Sequence, residues 1–106
     1  MDRTLSWKLD GHEVVPATLE EADGDIGHRV AEDMIGTVRV STVFLGIDHN
    51  HFGQGPPLLF ETMVFAPGDA ELDMYMRRCS TWGQAEAQHR VMVDYVKGIA
   101  SLKGTP

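Results

Sequence analysis

The sequence predicts an α+β fold, in which an antiparallel β-sheet of about five to six strands carries one long C-terminal helix packed on one face. The chain has 106 residues, of which 42% are hydrophobic and 24% charged, as in an ordinary globular domain. Short stretches rich in β-branched and aromatic residues are separated by turn-forming residues, and the clearest helical spacing lies in the last stretch. Residues 1–106 are therefore expected to form a single α+β domain.

The first predicted element is a β-hairpin formed by residues 6–9 and 12–15. Between these strands, Asp10 and Gly11 form a dipeptide that accepts the positive φ angles of a type I′ turn. Pro16 is expected to end the second strand because it has no N–H for the ladder.

The acidic segment of residues 18–28 is expected to be a short helix or a loop. Thr18 and Glu21 have the spacing of a capping box, which is typical of a helix start. Any helix ends after about one turn, because four turn-forming residues follow: Asp23, Gly24, Asp25 and Gly27.

Four further strands are predicted in the middle of the chain, at residues 28–35, 38–47, 58–65 and 74–79. The second and third of these have the highest content of β-branched and aromatic residues. Gly36 and Thr37 supply one turn, and Pro67, Gly68 and Asp69 supply another.

The last predicted element is a helix that follows Thr81, which has the spacing of a second capping box with Gln84. Lys97 and Lys103 near its end suit the negative end of the helix dipole, and residues 104–106 are expected to fray. Its apolar face is marked by residues at helical spacing: Ala85, His89, Met92, Val96 and Ile99.

The two central strands are apolar on both faces, which predicts a partner. By period-two alternation, Val43 and Leu45 oppose Phe44 in one strand, and Met63 opposes Val64 in the other. One helix can cover only one face, and each Leu, Met or Phe left exposed forgoes roughly 1.5–3 kcal/mol of burial free energy. We expect a homodimer or higher homo-oligomer, packed sheet against sheet. Coverage by the N-terminal hairpin and the short helix is the alternative.

The connection between the central strands carries Asp48, His49 and His51, and Glu61 lies on the strand that follows. The His-x-His pair with nearby carboxylates has the donor types of a metal site. His49 with Asp48 or Glu61 has the composition of an acid–base pair. In a third, structural interpretation, Asp48 accepts backbone N–H bonds and the histidines are solvated. The pattern is too short to assign a metal, and no cofactor is implied.

Two residues of the C-terminal helix are further candidates for ligand contact. Trp82 can stack on a base or a sugar, although a place in the core or an interface is the simpler interpretation. His89 lies on the apolar face, where a hydrogen-bonded core histidine is expected. Glu61 also needs a partner on its apolar strand, and Arg39 or Ser41 can provide one.

The charge balance disfavours a nucleic-acid partner. With 16 acidic and 9 basic residues, the net charge is −7, which opposes a broad phosphate-binding surface. The single cysteine, Cys79, has no intrachain disulfide partner, which is typical of a reducing compartment. The sequence shows neither a signal peptide nor an apolar run of ~20 residues. A cytoplasmic location without a membrane segment is therefore expected.

Residues 41–65 and 79–93 resemble an uncharacterised small protein family of bacteria and phages. They read STVFLGIDHNHFGQGPPLLFETMVF and CSTWGQAEAQHRVMV, against the family's STVFLG-DH…GPPLLFETMVF…STW-EAE-H pattern. The resemblance covers about two-fifths of the chain. The family pattern does not require His51, which weakens the interpretation of His49 and His51 as a metal site. Residues 18–27 also stand where the family carries an aromatic-rich helix.

The resemblance implies a phage accessory or regulatory role, because the family is carried mainly on phage and mobile genomes. We expect a homo-oligomer that sequesters a small nucleotide-like ligand, such as a host-defence signal. The alternatives are a small hydrolase or phosphodiesterase with Asp48, His49 and Glu61 as catalytic residues, and a protein-only inhibitor of a host enzyme. The expected ligand-binding residues include positions that match the family: Asp48, His49, Gly55, Pro56, Phe60, Glu61, Trp82 and His89.

Overall fold

The computed structural model describes residues 3–102 and confirms the α+β fold. The six strands divide into a two-stranded sheet of β1 and β2 and a four-stranded antiparallel sheet in the order β3-β4-β5-β6. Lys103 and residues 104–106 lie outside the described residues. The elements in chain order are β1 (Trp7–Asp10), β2 (Glu13–Pro16), α1 (Leu19–Asp23), β3 (Arg29–Ile35), β4 (Val38–Phe44), β5 (Phe60–Phe65), β6 (Met76–Cys79) and α2 (Trp82–Leu102).

The N-terminal hairpin forms as predicted, but its turn lies one residue further along the chain. Asp10 pairs with Glu13, so Gly11 and His12 are the central residues of the turn. Gly11 has a φ of +63°, whereas the φ of His12 is not positive. A positive φ at the first central position alone is typical of a type II′ turn rather than the predicted type I′. Pro16 is the last residue of β2, as expected.

The segment after the hairpin forms the short helix α1 with a complete capping box. The Thr18 hydroxyl accepts from the backbone N–H of Glu21, and the Glu21 carboxylate accepts from the backbone N–H of Thr18. Lys8 also donates to this carboxylate at 2.9 Å. The backbone N–H of Thr18 and the Lys8 side chain together lower the pKa of Glu21 to about 2.

The register of the four-stranded sheet sorts its side chains onto two faces, since directly paired residues of antiparallel strands point the same way. The face that carries α2 includes Thr42 of β4 paired with Thr62 of β5. We call the opposite face of this sheet the open face. Its apolar residues, by the same register, are Met34, Val43, Met63, Phe65 and Met76.

Two buried clusters fill the space between the sheet and α2. One contains Val40, Val64, Ala66, Leu72, Met92 and Val96, and the other contains Phe44, Leu59, Phe60 and Ala85. Trp7, Leu9 and Val14 of the hairpin pack against the second cluster. The hairpin therefore extends the core on the helix side, and the apolar residues of the open face belong to neither cluster.

Local backbone geometry sets where β4 ends and where β6 and α2 begin. Gly46 has a φ of +76°, a left-handed conformation that does not continue a strand, and β4 ends two residues earlier, at Phe44. A Cβ at position 46 would lie 2.6 Å from the Ile26 side chain, so this close approach requires glycine. Met74, with a φ of +67°, delays β6 to Met76. Thr81 and Gln84 exchange two hydrogen bonds at the start of α2, as the capping box predicts. Residues 45–59 form the loop between β4 and β5.

Candidate functional site

The loop of residues 45–59 is organised by Asp48, whose side chain is only 1% exposed. Its Oδ1 accepts the backbone N–H groups of Asn50 and Leu58 at 2.8 and 2.9 Å. Its Oδ2 accepts from Nε of Arg3 at 2.6 Å. Both carboxylate oxygens therefore hold the two ends of the loop and the N-terminal segment together.

Arg3 and Asn50 extend these bonds to the tip of the loop. The Arg3 guanidinium donates to the carbonyl oxygens of Gly55 at 2.8 Å and Gly53 at 3.3 Å. The Asn50 amide donates to the carbonyl oxygen of Pro56 at 3.1 Å. The carbonyl oxygens of Gly55 and Pro56, two residues expected to bind a ligand, thus accept from Arg3 of the N-terminal segment and from Asn50 of the loop.

The environment of Asp48 stabilises its charged form. Burial alone raises the pKa of Asp48, but the hydrogen bonds from Arg3, Asn50 and Leu58 outweigh burial. The pKa of Asp48 therefore lies below its usual value, and the carboxylate remains charged at neutral pH. This is the state that a structural acceptor needs.

The two loop histidines have different surroundings. His49 is half-buried, and its Nδ1–H donates to the carbonyl oxygen of Ile47 at 2.7 Å. His51 is exposed, and the two ring centroids are 6.2 Å apart. Within residues 3–102, no three His, Cys, Asp or Glu side chains are grouped closely enough to hold a metal ion.

Glu61 lies on the open face and has its own partner. Its carboxylate accepts from Nε of Arg78 on β6 at 3.0 Å, rather than from Arg39. In the described part of the chain, no hydrogen bond or ion pair joins Glu61 to Asp48 or His49. The three residues proposed to act together as catalytic groups thus have separate partners.

Phe60 and Trp82 belong to one aromatic cluster. Phe60 is fully buried and meets Trp82 edge to face, with ring centroids 6.2 Å apart. The indole of Trp82 stacks on His12 at 3.9 Å. Its buried Nε1–H has no partner among the described residues. These contacts agree with the core interpretation of Trp82, and Phe60 has no exposed surface for a ligand.

His89 is buried, as expected for a core histidine, and it stands within a run of hydrogen bonds that we call the polar chain. The distances along it are 3.0 Å from Gln88 Nε2 to Thr62 Oγ1, 2.6 Å from Thr62 Oγ1 to Thr42 Oγ1, 2.7 Å from Thr42 Oγ1 to His89 Nδ1, and 2.8 Å from His89 Nε2 to Asp33. Thr42 and Thr62 are fully buried at its centre.

The direction of the polar chain follows from Gln88. Its amide nitrogen also donates to the carbonyl oxygen of Arg77, which can only accept, so Gln88 must present N–H to Thr62. The buried Thr62 hydroxyl then donates to Thr42, because a buried O–H needs an acceptor. Thr42 in turn donates to Nδ1 of His89, and the ring donates its Nε2–H to Asp33.

The polar chain reaches the surface at both ends. Asp33, whose side chain is 56% exposed, lines a shallow cleft of about 160 Å³ together with Arg90 and Asp94. Gln88 lines a larger cleft of about 310 Å³ between β6 and α2. Because Thr42 has no exposed surface, this run of hydroxyl, imidazole and carboxylate groups does not present a nucleophile to a substrate.

Cys79 is not an activated nucleophile. Burial raises the pKa of this thiol to about 11, and the weak bond to the carbonyl oxygen of Thr81 does not reverse the shift. The thiol is therefore protonated at neutral pH.

No helix within residues 3–102 combines the length and apolar character needed to cross a membrane.

Comparison of the chain with protein-family models, with curated proteins and with solved structures gave no match.

Sequence reasoning missed most of the polar chain. The sequence patterns place Asp33 only in a strand and do not distinguish Gln88 from other residues of the helix. One sequence pattern does point to the polar chain. Side-chain alternation places Thr42 and Thr62 on the face covered by the helix, where a buried hydroxyl needs a hydrogen-bond partner. The partnership of Arg3 with Asp48, across 45 positions of the chain, has no such local pattern.

Proposed function

We propose that the protein is a homo-oligomeric binding protein that captures a small nucleotide-like ligand without converting it. The observation that carries this proposal is the uncovered open face of the four-stranded sheet. Met34 is 59% exposed there, and Val43, Met63, Phe65 and Met76 are half-buried. A second copy packed on this face removes these side chains from water, at roughly 25 cal/mol per Å² of apolar surface buried.

The charges of the open face support self-association. Arg78 pairs with Glu61 at 3.0 Å, and Glu32 pairs with Arg29 at 2.7 Å and lies 4.0 Å from Arg39. The face thus carries an excess of one positive charge in a chain of net charge −7. Two copies repel each other less through this face than through the acidic remainder of their surface.

The nucleotide-like ligand is supported by two considerations. The resemblance to a phage-borne family suggests an accessory protein, and sequestration of a host-defence signal is a role suited to a small binder. The chain also presents guanidinium groups, which are well suited to phosphate recognition. Turnover is not proposed, because the carboxylates of Asp48 and Glu61 are already bonded within the chain.

The oligomer is tested by sedimentation velocity of the wild type and two matched variants. Met63→Glu places a charge in the middle of the open face, and Leu19→Glu places the same charge on α1, where Leu19 is 66% exposed. We expect the wild type and Leu19→Glu to sediment as a dimer or larger species, and Met63→Glu to sediment as a monomer. A monomeric wild type removes the oligomer from the proposal.

The ligand is tested by isothermal titration of the wild-type protein with cyclic nucleotides and ADP-ribose-type nucleotides. We expect saturable binding of at least one of them, with the nucleotide recovered unchanged after long incubation. Recovery of a cleaved nucleotide would instead favour the hydrolase. An oligomer that binds none of the panel contradicts the ligand part and favours a protein-only partner.

A further inference from the structure

We infer that the ligand site is the cleft between β6 and α2, and that it takes a planar aromatic ring bearing an N–H donor and an anionic group, as in a nucleoside monophosphate. This inference rests on the proposed binding function and locates it. We call this site the tyrosine cleft. Its lining residues are Tyr75, Arg77, Gln88, Val91, Met92 and Tyr95.

The tyrosine cleft has the size and apolar walls of a small-molecule site. Its volume of about 310 Å³ lies at the lower end of the range for ligand pockets, which suits a nucleobase rather than a larger cofactor. Met92 is buried, whereas Val91 and Tyr95 are 69% and 47% exposed. The rings of Tyr75 and Tyr95 lie 5.6 Å apart and tilted by 48°, so the cleft offers aromatic surface to a planar ring.

Arg77 supplies a positive charge to the tyrosine cleft. Its guanidinium lies 5.1 Å from the ring centroid of Tyr75, and within residues 3–102 it forms no ion pair with a carboxylate. Arg3 and Arg78, by contrast, each pair with a carboxylate. A guanidinium without a carboxylate partner remains available for an anionic group such as a phosphate.

Gln88 adds a hydrogen-bond acceptor of fixed orientation. Its Nε2 donates to Thr62 Oγ1 at 3.0 Å and to the Arg77 carbonyl oxygen at 3.1 Å, which uses both N–H groups. Rotation of the amide would place its oxygen against the Arg77 carbonyl. Oε1 is therefore left as the acceptor, and it matches the amino or imino N–H of a nucleobase.

The tyrosine cleft and the 45–59 loop differ in whether their polar groups can still bind a ligand. In the loop, both oxygens of Asp48 and the guanidinium of Arg3 are bonded to other groups of the chain. In the tyrosine cleft, among residues 3–102, the Arg77 guanidinium contacts a ring but pairs with no carboxylate, and Gln88 Oε1 forms no hydrogen bond within the chain. The ring, the acceptor and the guanidinium are the groups that recognise a base, its exocyclic nitrogen and its phosphate.

The site is tested by two-dimensional NMR titration of the full chain with adenosine 5′-monophosphate, adenosine and ribose 5-phosphate. We expect adenosine 5′-monophosphate to shift the resonances of Gln88, Val91 and Tyr95 most strongly. Arg77→Gln should weaken its binding about tenfold or more, since hydrogen bonds to charged groups contribute roughly 1.5–3 kcal/mol, and should leave adenosine binding unchanged. Tyr95→Ala should weaken the binding of both compounds.

Two control variants separate this site from its neighbours. Arg90→Gln removes an exposed guanidinium of α2 that lies outside the tyrosine cleft, and His49→Ala alters the 45–59 loop. Both variants should bind adenosine 5′-monophosphate as the wild type does. Nucleotide binding that survives both Arg77→Gln and Tyr95→Ala overturns the site but leaves the proposed function standing. A wild type that binds neither adenosine 5′-monophosphate nor any nucleotide of the panel overturns this site and also the ligand part of the proposed function.

Discussion

Asp48 and His89 each lie at the centre of a buried polar cluster, but the two clusters use their hydrogen bonds differently. The partners of Asp48 are backbone N–H groups of its own loop and the side chain of Arg3, so the cluster closes on itself. His89 belongs to a run of side chains from β3, β4, β5 and α2 that opens onto a surface cleft at each end.

The difference shows that chemically versatile residue types do not by themselves mark a site. The loop concentrates aspartate and histidine within a few positions, yet its polar groups shape the backbone. The polar chain also contains a histidine and an aspartate, but its two threonines and its glutamine come from separate elements, and it fixes the orientation of the Gln88 amide beside the tyrosine cleft.

The largest expected effect comes from removal of the Asp48 carboxylate. Asp48→Ala leaves the Nε–H of Arg3 and the backbone N–H groups of Asn50 and Leu58 without an acceptor, and we expect a loss of about 3 kcal/mol in the free energy of unfolding. Urea denaturation measures it against Asp23→Ala, a change of an exposed aspartate at the end of α1. If the two variants are equally stable, Asp48 is not the structural centre of the loop.

A smaller loss is expected when the polar chain is interrupted. Thr42→Val leaves Nδ1 of the buried His89 without a donor and the O–H of Thr62 without an acceptor, which should cost about 2 kcal/mol of unfolding free energy. Thr4→Val, at an exposed position before β1, is the control.

The continuity of the polar chain is tested by adding Thr62→Val to Thr42→Val. The double variant should lose less stability than the sum of the two single losses, with a coupling of about 1 kcal/mol, because the second change acts on an interrupted chain. Strictly additive losses would show that the two hydroxyls do not act together.

The low pKa of Asp48 predicts a dependence of stability on pH. A carboxyl whose folded pKa is depressed stabilises the protein fully above its unfolded pKa of about 3.9, and this contribution is lost as pH falls through the folded value. Urea denaturation between neutral and strongly acidic pH should therefore show a steeper acid loss for the wild type than for Asp48→Asn. Parallel curves would assign the acid sensitivity to other groups.

The smallest effect is expected at His49. Within residues 3–102, its side chain forms one hydrogen bond, to the carbonyl oxygen of Ile47 near the start of the loop, so His49→Ala should change the free energy of unfolding by about 0.5 kcal/mol. Thermal unfolding of this variant beside His51→Ala measures the difference. A loss as large as that of Asp48→Ala would place His49 in the structural cluster.

Much of the fold was predictable from local sequence patterns. The hairpin, both capping boxes, the central strands and α2 follow from turn residues, side-chain alternation and helical spacing, which act over a few positions. The errors are boundaries: the first turn moves by one residue to Gly11 and His12, and β4 stops before Gly46. These boundaries depend on φ angles that a local pattern does not contain.

By itself, the sequence determined the order of the elements, the α+β class and the apolar character of both sheet faces, because periodicity is a property of the chain. Only the tertiary structure decided which polar groups meet. Arg3 reaches Asp48, and residues 33, 42, 62, 88 and 89 join in one polar chain, because strand register and the placement of α2 bring distant positions within hydrogen-bond distance. A hydrogen bond requires about 3 Å and a suitable angle, and that geometry exists only after packing.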